Sequence, residues 1–287
     1  MTAEAVEKSA ILVEALPYIQ RWAGKIVAIK VGGEIVDNPD TLKGFTTDLT
    51  LLHLVGMRPI LVHGGGNQIS AAMRTRGLRP RFVGGYRVTD RETMEVVRSV
   101  MTQVNANIAE AIRAAGARAV PLLGDENGLL AIKPLSGPGG EDLGLVGEVA
   151  EVDSSVISGA MNRECIPVIA PLGCGEDEST YNINADLAAA AIAVAMKAEK
   201  IVFLTNTEGL YRDLGDESSL ISEASAAQLR AMLDRGQLSK GMIPKISGVV
   251  QALEAGVSRA HILDGRVPHC LLLEIFTDEG IGTMVTR

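Results

Sequence analysis

Lys25-Ile-Val-Ala-Ile-Lys-Val-Gly-Gly33 and Pro59-Ile-Leu-Val-His-Gly-Gly-Gly-Asn67 are the two stretches on which the fold turns. Each begins as an apolar run of strand length and ends in glycines; the second leads into helical sequence over Asn67–Arg76. A strand with one wet face alternates apolar and polar residues. A near-continuous apolar run belongs to a strand covered on both faces, as in a parallel sheet between helices.

The theme repeats along the chain. Residues 5–22 carry Val6, Ala10, Val13, Leu16 and Ile19 or Gln20 near helical spacing, with Pro17 placed to kink or divide the helix and Gly24 to end it. Thr89-Asp-Arg-Glu92 reads as a capping box opening a long helix to about Ala115, and Ser225-Ala-Ala-Gln228 as a second box. Arg118–Leu122, Pro167–Ala170, Lys200–Leu204, Ala260–Leu263 and Leu271–Ile275 read as further strands. Helices are expected from Asn184 or Asp186 through Lys197, and over Ile246–Ala255 with Gly256 as the stop. Gly124–Val149, rich in Gly and Pro, reads as hairpins or loops over one edge. Strands alternating with helices define an α/β fold with a mostly parallel central sheet. With no linker-like run, any lobe boundary falls softly near residues 172–190.

Composition narrows the function. The chain has 287 residues, 47% hydrophobic but only 3% aromatic, so its core is built from Ala, Val, Leu and Ile. A formal net charge of −8 argues against a nucleic-acid footprint. The start, Met1-Thr-Ala-Glu-Ala-Val-Glu-Lys-Ser-Ala10, has acids and no long apolar core; Leu187–Met196, the most apolar helical stretch, is too short to cross a bilayer. Cys165, Cys174 and Cys270 lack metal-ligand spacing and suit a reducing cytosol. A cytoplasmic enzyme is the expectation.

In sheets of this kind ligands bind beyond the carboxyl ends of the strands, where both glycine turns lie. Phosphates need several backbone N–H groups aimed at one point, and glycine lets the backbone approach. No Walker A sequence occurs, and Gly173-Cys-Gly175 fails as a dinucleotide fingerprint because Glu178 stands where the third glycine belongs. Lys30 ends an apolar strand, and Lys245 sits at a helix start, where a cation is not the favoured charge unless an anion binds nearby. Two lysines on one phosphate would neutralise a transferring phosphoryl group. In Tyr181-Asn-Ile-Asn-Ala-Asp186, capping accounts for one of Asn184 and Asp186 but not for Asn182 as well; Asp186 could hold the two lysines. Arg87, in Gly84-Gly-Tyr-Arg-Val-Thr89, could grip a carboxylate bidentately.

Lys30-Val-Gly-Gly33, Val62-His-Gly-Gly-Gly66, Gly85-Tyr-Arg-Val-Thr-Asp90, Tyr181–Asp186, Gly241-Met-Ile-Pro-Lys245, His261-Ile-Leu-Asp-Gly-Arg266 and Glu274–Met284 resemble, in order, the motifs of acetylglutamate kinases of the amino-acid kinase superfamily. The resemblance covers essentially residues 8–287. It implies a three-layer αβα sandwich with an extra amino-terminal helix (1–24) for oligomerisation. It also implies an acetylglutamate-binding lobe over 25–185 and an ATP-binding lobe over 186–287.

By matching position, Lys30 and Lys245 would stabilise the transition state and Asp186 would organise them. Gly65, Gly66, Arg87, Asn182 and Asn184 would bind acetylglutamate; Gly32, Gly33, Asn206 and Gly209 would line the nucleotide site. ATP would arrive with Mg2+ carried on its phosphates and no metal cage in the protein. The two ends of the chain resemble arginine-inhibited members, which are hexamers; Tyr18, His261, Glu274 and Gly280 match their arginine site. Glu34, where Asn or a small residue is usual, and Asn206, where Asp is usual, depart from the family pattern, as do Val31, Asn67 and the loop 123–128. A related kinase of aminoadipate, carbamate or aspartate type, or a non-catalytic arginine-sensing homologue, stays open at this stage.

Overall fold

A computed structural model describes residues 3–213, 216–238, 241–277 and 280–287. Its main sheet has eight strands in the spatial order Glu223–Ser225, Thr283–Thr286, Arg259–Asp264, Lys200–Thr205, Ile26–Val31, Arg58–His63, Ile166–Ala170 and Ala119–Leu123. Every neighbouring pair is parallel except Thr283–Thr286 against Arg259–Asp264. From the central strand Ile26–Val31 the chain moves first to one side and later returns to the other. The crevice at its carboxyl end is therefore a topological switch point.

The strand's alternation decides what faces that crevice. Val27, Ile29 and Val31 enter one core, against the helices Pro39–Leu54, Arg91–Ala114 and Cys270–Phe276. Ala28 enters the other, beneath the helices Ala185–Ala195 and Met242–Glu254. Lys30 falls on the Ala28 face, two residues on, so its side chain is directed at the starts of those two helices. Buried Ala188, Ala189, Ala190 and Ala193 keep that helix layer thin enough for close approach.

Several expectations are corrected. Leu271–Ile275 is not a strand but part of the helix Cys270–Phe276, with Cys270, Leu271, Glu274 and Ile275 buried at helical spacing; a short apolar run satisfies either period. The strand beside Arg259–Asp264 is instead Thr283–Thr286, with Glu223–Ser225 outside it at the edge. The long helix Arg91–Ala114 is capped by Asp90, whose side chain accepts from Thr93 N, and not by Thr89, whose hydroxyl donates to the Arg87 carbonyl. The helix carrying Lys245 begins at Met242, because Pro244 is tolerated in a first turn. Within Gly124–Val149, Leu130–Ser136 pairs with Asp142–Val152; with Leu172–Cys174 and Thr180–Ile183 these strands close a small four-stranded barrel.

The amino-terminal segment is divided as its proline dictates, into Ala3–Glu14 and Leu16–Trp22. Ser225 and Gln228 form the expected reciprocal capping box. No helix among the described residues is long and apolar enough to cross a membrane.

Candidate active site

The strand Thr180–Ile183 leaves the small barrel and delivers Asn184, whose side-chain oxygen accepts from Asp186 N and Leu187 N and caps the helix Ala185–Ala195. Capping is thus the work of Asn184, and it releases Asp186. The Asp186 carboxylate lies at the helix start with Lys30 Nζ 2.9 Å and Lys245 Nζ 3.1 Å from the same oxygen, Oδ1. Burial alone would raise the Asp186 pKa, but the two ammonium groups outweigh it and hold the carboxyl well below its ordinary range. Burial pulls Lys245 down to about 8, against the attraction of Asp186 and with the repulsion of Lys30. Two ammonium groups against one carboxylate leave one positive charge at the end of the central strand.

Two cavities meet at this cluster, sharing Lys30, Gly33, Gly66 and Asp186 in their walls. The first, of about 230 Å³, is bounded by Gly64–Gly66, by Phe82, Tyr86 and Arg87 of a two-stranded hairpin, and by Asn182–Asp186. Arg87 is buried there and stacks on the Phe82 ring at 4.7 Å. Its Nη2 donates to the Gly66 carbonyl and to Ser70 Oγ, both at 2.9 Å. Burial and nearby Arg74 lower its pKa from the ordinary value. No carboxylate of a described residue pairs with it, so the cavity holds a guanidinium suited to an incoming anion. Asn182 lines the same cavity and donates to Thr89 Oγ1 at 3.3 Å.

The second cavity, of about 380 Å³, is bounded by Gly32–Ile35, Asn67, Leu204–Thr207, Gly241, Met242 and Lys245. Helices beginning at Gly33, Gly66 and Met242 face it, and none of the three has a side-chain cap. Their first N–H groups therefore remain for another acceptor, which fits a phosphate chain. A Cβ added at Gly66 would meet nothing within 4 Å and would stand in the open space of both cavities. Asn206 lies on the wall and donates to Glu34 Oε1 at 3.0 Å. Gly209 does not line this cavity; a Cβ there would meet Thr283 Oγ1 at 2.6 Å, so its glycine serves packing.

Two residues that sequence reading did not single out shape the triple-glycine turn. His63 is fully buried; its Nδ1 donates to the Gly64 carbonyl at 2.9 Å and its Nε2 accepts from Asn105 Nδ2 at 3.0 Å. Burial pushes the His63 pKa down to about 4, so the ring is neutral. Asn105 was the available signal: an amide on the buried face of the long helix, anchored further by donating to the Val168 carbonyl at 2.9 Å.

A third cavity, of about 460 Å³, lies toward the amino ends of the central strands, and Tyr18, His261, Glu274 and Gly280 all line it. Glu274 is buried, with Lys200 Nζ 2.7 Å and His261 Nδ1 2.6 Å from Oε1, while its Oε2 has no hydrogen-bond partner among the described residues. Lys200 in turn sits 4.8 Å over the Trp22 ring. The sequence signal for Lys200 was the mirror image of Lys30: a lysine opening an apolar strand.

Such a layout, with a switch-point crevice lined by glycine turns and a Lys–Asp–Lys cluster at its floor, defines a phosphate-handling α/β protein. The chain belongs to the amino acid kinase family, whose sequence profile matches residues 25–264. The acetylglutamate kinase of Symbiobacterium thermophilum is 48% identical over 293 aligned positions, covering 100% of both chains. Among solved structures, the N-acetylglutamate synthase of Neisseria gonorrhoeae in complex with coenzyme A and N-acetyl-glutamate superposes with a TM-score of 0.86 at 28% identity, over 97% of this chain; this chain spans 63% of that one. The same synthase complexed with coenzyme A and L-arginine superposes at 0.81, again at 28% identity, over 97% of this chain and 65% of that one.

Proposed function

We propose that this chain transfers the γ-phosphoryl group of ATP to the side-chain carboxylate of N-acetyl-L-glutamate, giving N-acetyl-L-glutamyl 5-phosphate and ADP in arginine biosynthesis. The observation that carries the reading is the junction of two unlike cavities at Lys30, Gly66 and Asp186. One offers a buried guanidinium and an amide, the complement of an acylated amino acid. The other offers uncapped helix starts, the complement of a phosphate chain. Residues 25–185 would supply most of the first and residues 186–287 much of the second.

The substrate carboxylate is already an anion, so it attacks phosphorus directly and in line; the bond to the ADP oxygen breaks as the new P–O bond forms. No protein nucleophile and no base are required. The protein positions the reactants and neutralises charge. Arg87 and Asn182 hold the acyl amino acid, with Asn184 acting through the cap that places Asp186. The N–H groups of Gly65 and Gly66 meet the phosphoryl group, and Lys30 and Lys245 offset the charge spreading over its oxygens. Gly32, Gly33 and Asn206 face the nucleotide. Mg2+ carried by the phosphates supplies further charge neutralisation.

A coupled ADP-release assay over N-acetyl-L-glutamate, glutamate, N-acetyl-aspartate, aspartate and carbamate tests the assignment. Free glutamate would bring an ammonium group into a site matched to an amide, so its kcat/KM should be far lower. Equal values for glutamate and its acetylated form would refute the assignment. The 460 Å³ cavity supports a second role, feedback inhibition by L-arginine. Glu274 Oε2, without a hydrogen-bond partner among the described residues, is an acceptor suited to a guanidinium, and Arg259 is a cation suited to the carboxylate of the same ligand.

A further inference from the structure

Charge balance in the second cavity is incomplete without a cation, and one residue on its wall is placed to help hold it. At the inner end, Lys30 and Lys245 against Asp186 leave a single positive charge to face a polyphosphate. On the wall stands Glu34, an exposed carboxylate beside the place where a phosphate chain is expected, a like-charge approach that a cation between them would turn into an attraction. Asn206 fixes it by donating to Oε1 at 3.0 Å. Among the described residues no cation forms an ion pair with Glu34; Arg266 feels its charge but is bonded elsewhere. Its guanidinium is spent on Asp264, with Nε 2.9 Å from Oδ1 and Nη2 2.7 Å from Oδ2.

We propose that Glu34, oriented by Asn206, is the protein's own oxygen contact for the divalent cation that accompanies the nucleotide, made directly or through one of the cation's waters. Divalent magnesium on a nucleotide is commonly bound by one or two carboxylates together with the phosphates, and keeps several waters. Glu34 would then be a positioning residue: it fixes the metal–phosphate chelate so that the terminal phosphoryl group lies at the junction with the first cavity. The inference rests on the nucleotide reading of this cavity.

Calorimetric titration of the full-length protein with ADP, in EDTA and in Mg2+, separates the two. Glu34→Gln keeps an acceptor for Asn206 and removes only the charge. In the wild type Mg2+ should tighten ADP binding; in E34Q that gain should shrink roughly tenfold while metal-free ADP binds as well or better. Moving the carboxylate across the same contact, in E34Q combined with Asn206→Asp, should restore the gain. If E34Q keeps the whole magnesium-dependent gain, or the double variant fails to recover it, the inference is overturned. A wild-type protein that binds ADP under neither condition would instead refute the nucleotide reading itself.

Discussion

A single oxygen, Asp186 Oδ1, receives two ammonium groups, the buried Lys245 and the partly buried Lys30, and this makes the cluster both sensitive to pH and intolerant of rearrangement. Lys245, pulled down to about 8 chiefly by burial, is protonated below that pH and neutral above it. Only the protonated form neutralises phosphate charge, so kcat/KM for ATP should fall as pH rises through about 8. Bound phosphate favours the ammonium form, so the alkaline limb of kcat should lie higher. Lys245→Arg, always charged, should lower activity yet flatten the limb; a limb unchanged in the arginine variant would assign it to another group. Gly66 gives a complementary test. An alanine Cβ there meets no protein atom within 4 Å, so Gly66→Ala should leave the melting temperature nearly unchanged while kcat/KM falls by roughly two orders of magnitude, because the methyl keeps the phosphoryl group from reaching the N–H donors that the substitution leaves in place. Lys30 and Lys245 were legible in the sequence because each charge sits where local structure gives it no reason to be, and Asp186 because Asn182, Asn184 and Asp186 together exceed what one helix cap needs. His63 and Asn105 were not, because the one local signal, an amide on the apolar face of a helix, does not name its partner at a distant strand end.

Elements bring those charges together through one close helix crossing. Met242–Glu254 packs on Ala185–Ala195 at Gly248, where an added Cβ would lie 3.1 Å from the Asp186 carbonyl oxygen and 3.4 Å from Ala190 Cβ. Gly248 thus lets Lys245, one turn earlier on its helix, reach Asp186. Gly248→Leu should force the helices apart and lengthen the Lys245–Asp186 contact. Thermal unfolding should show a lower melting temperature, and kcat should fall at least about tenfold with little change in the acetylglutamate KM, the pattern of a lost transition-state contact. A variant equally unstable but with normal kcat would detach the crossing from catalysis. The strands of the central sheet were readable because burial on both faces makes them apolar throughout. Leu271–Ile275 was misread for the same reason, since an apolar run carries no period. Thr89-Asp-Arg-Glu92 read as a capping box led by Thr89, but Thr89 pairs with Gly144 of the small barrel, a tertiary contact outside local reach, and the cap falls to Asp90.

For the whole molecule, the first two helices behave differently from everything after them. Trp22 is 6% exposed and anchors Leu16–Trp22 to the sheet over Lys200, beside the cavity that Tyr18 also lines. Ahead of it, Ile11, Leu12 and Val13 are 60%, 73% and 68% exposed, an apolar surface that a compact kinase domain gives no reason to keep. The resemblance to arginine-inhibited hexamers makes a second copy the proposed cover, joined by a symmetric contact of like helices. The break between the two helices lies at Ala15, so the informative truncation removes residues 1–14 and leaves Tyr18 and Trp22 in place. Light scattering should then show a smaller assembly than the full chain, with substantial kinase activity retained. Arginine should still bind, because its cavity is intact, but inhibition should weaken, because an effector acts only through a difference in affinity between two arrangements and the assembly is what stores them. Calorimetry with arginine beside an inhibition curve reads both halves. A truncated chain that keeps the full assembly and full inhibition would confine the first helix to packing on its own subunit.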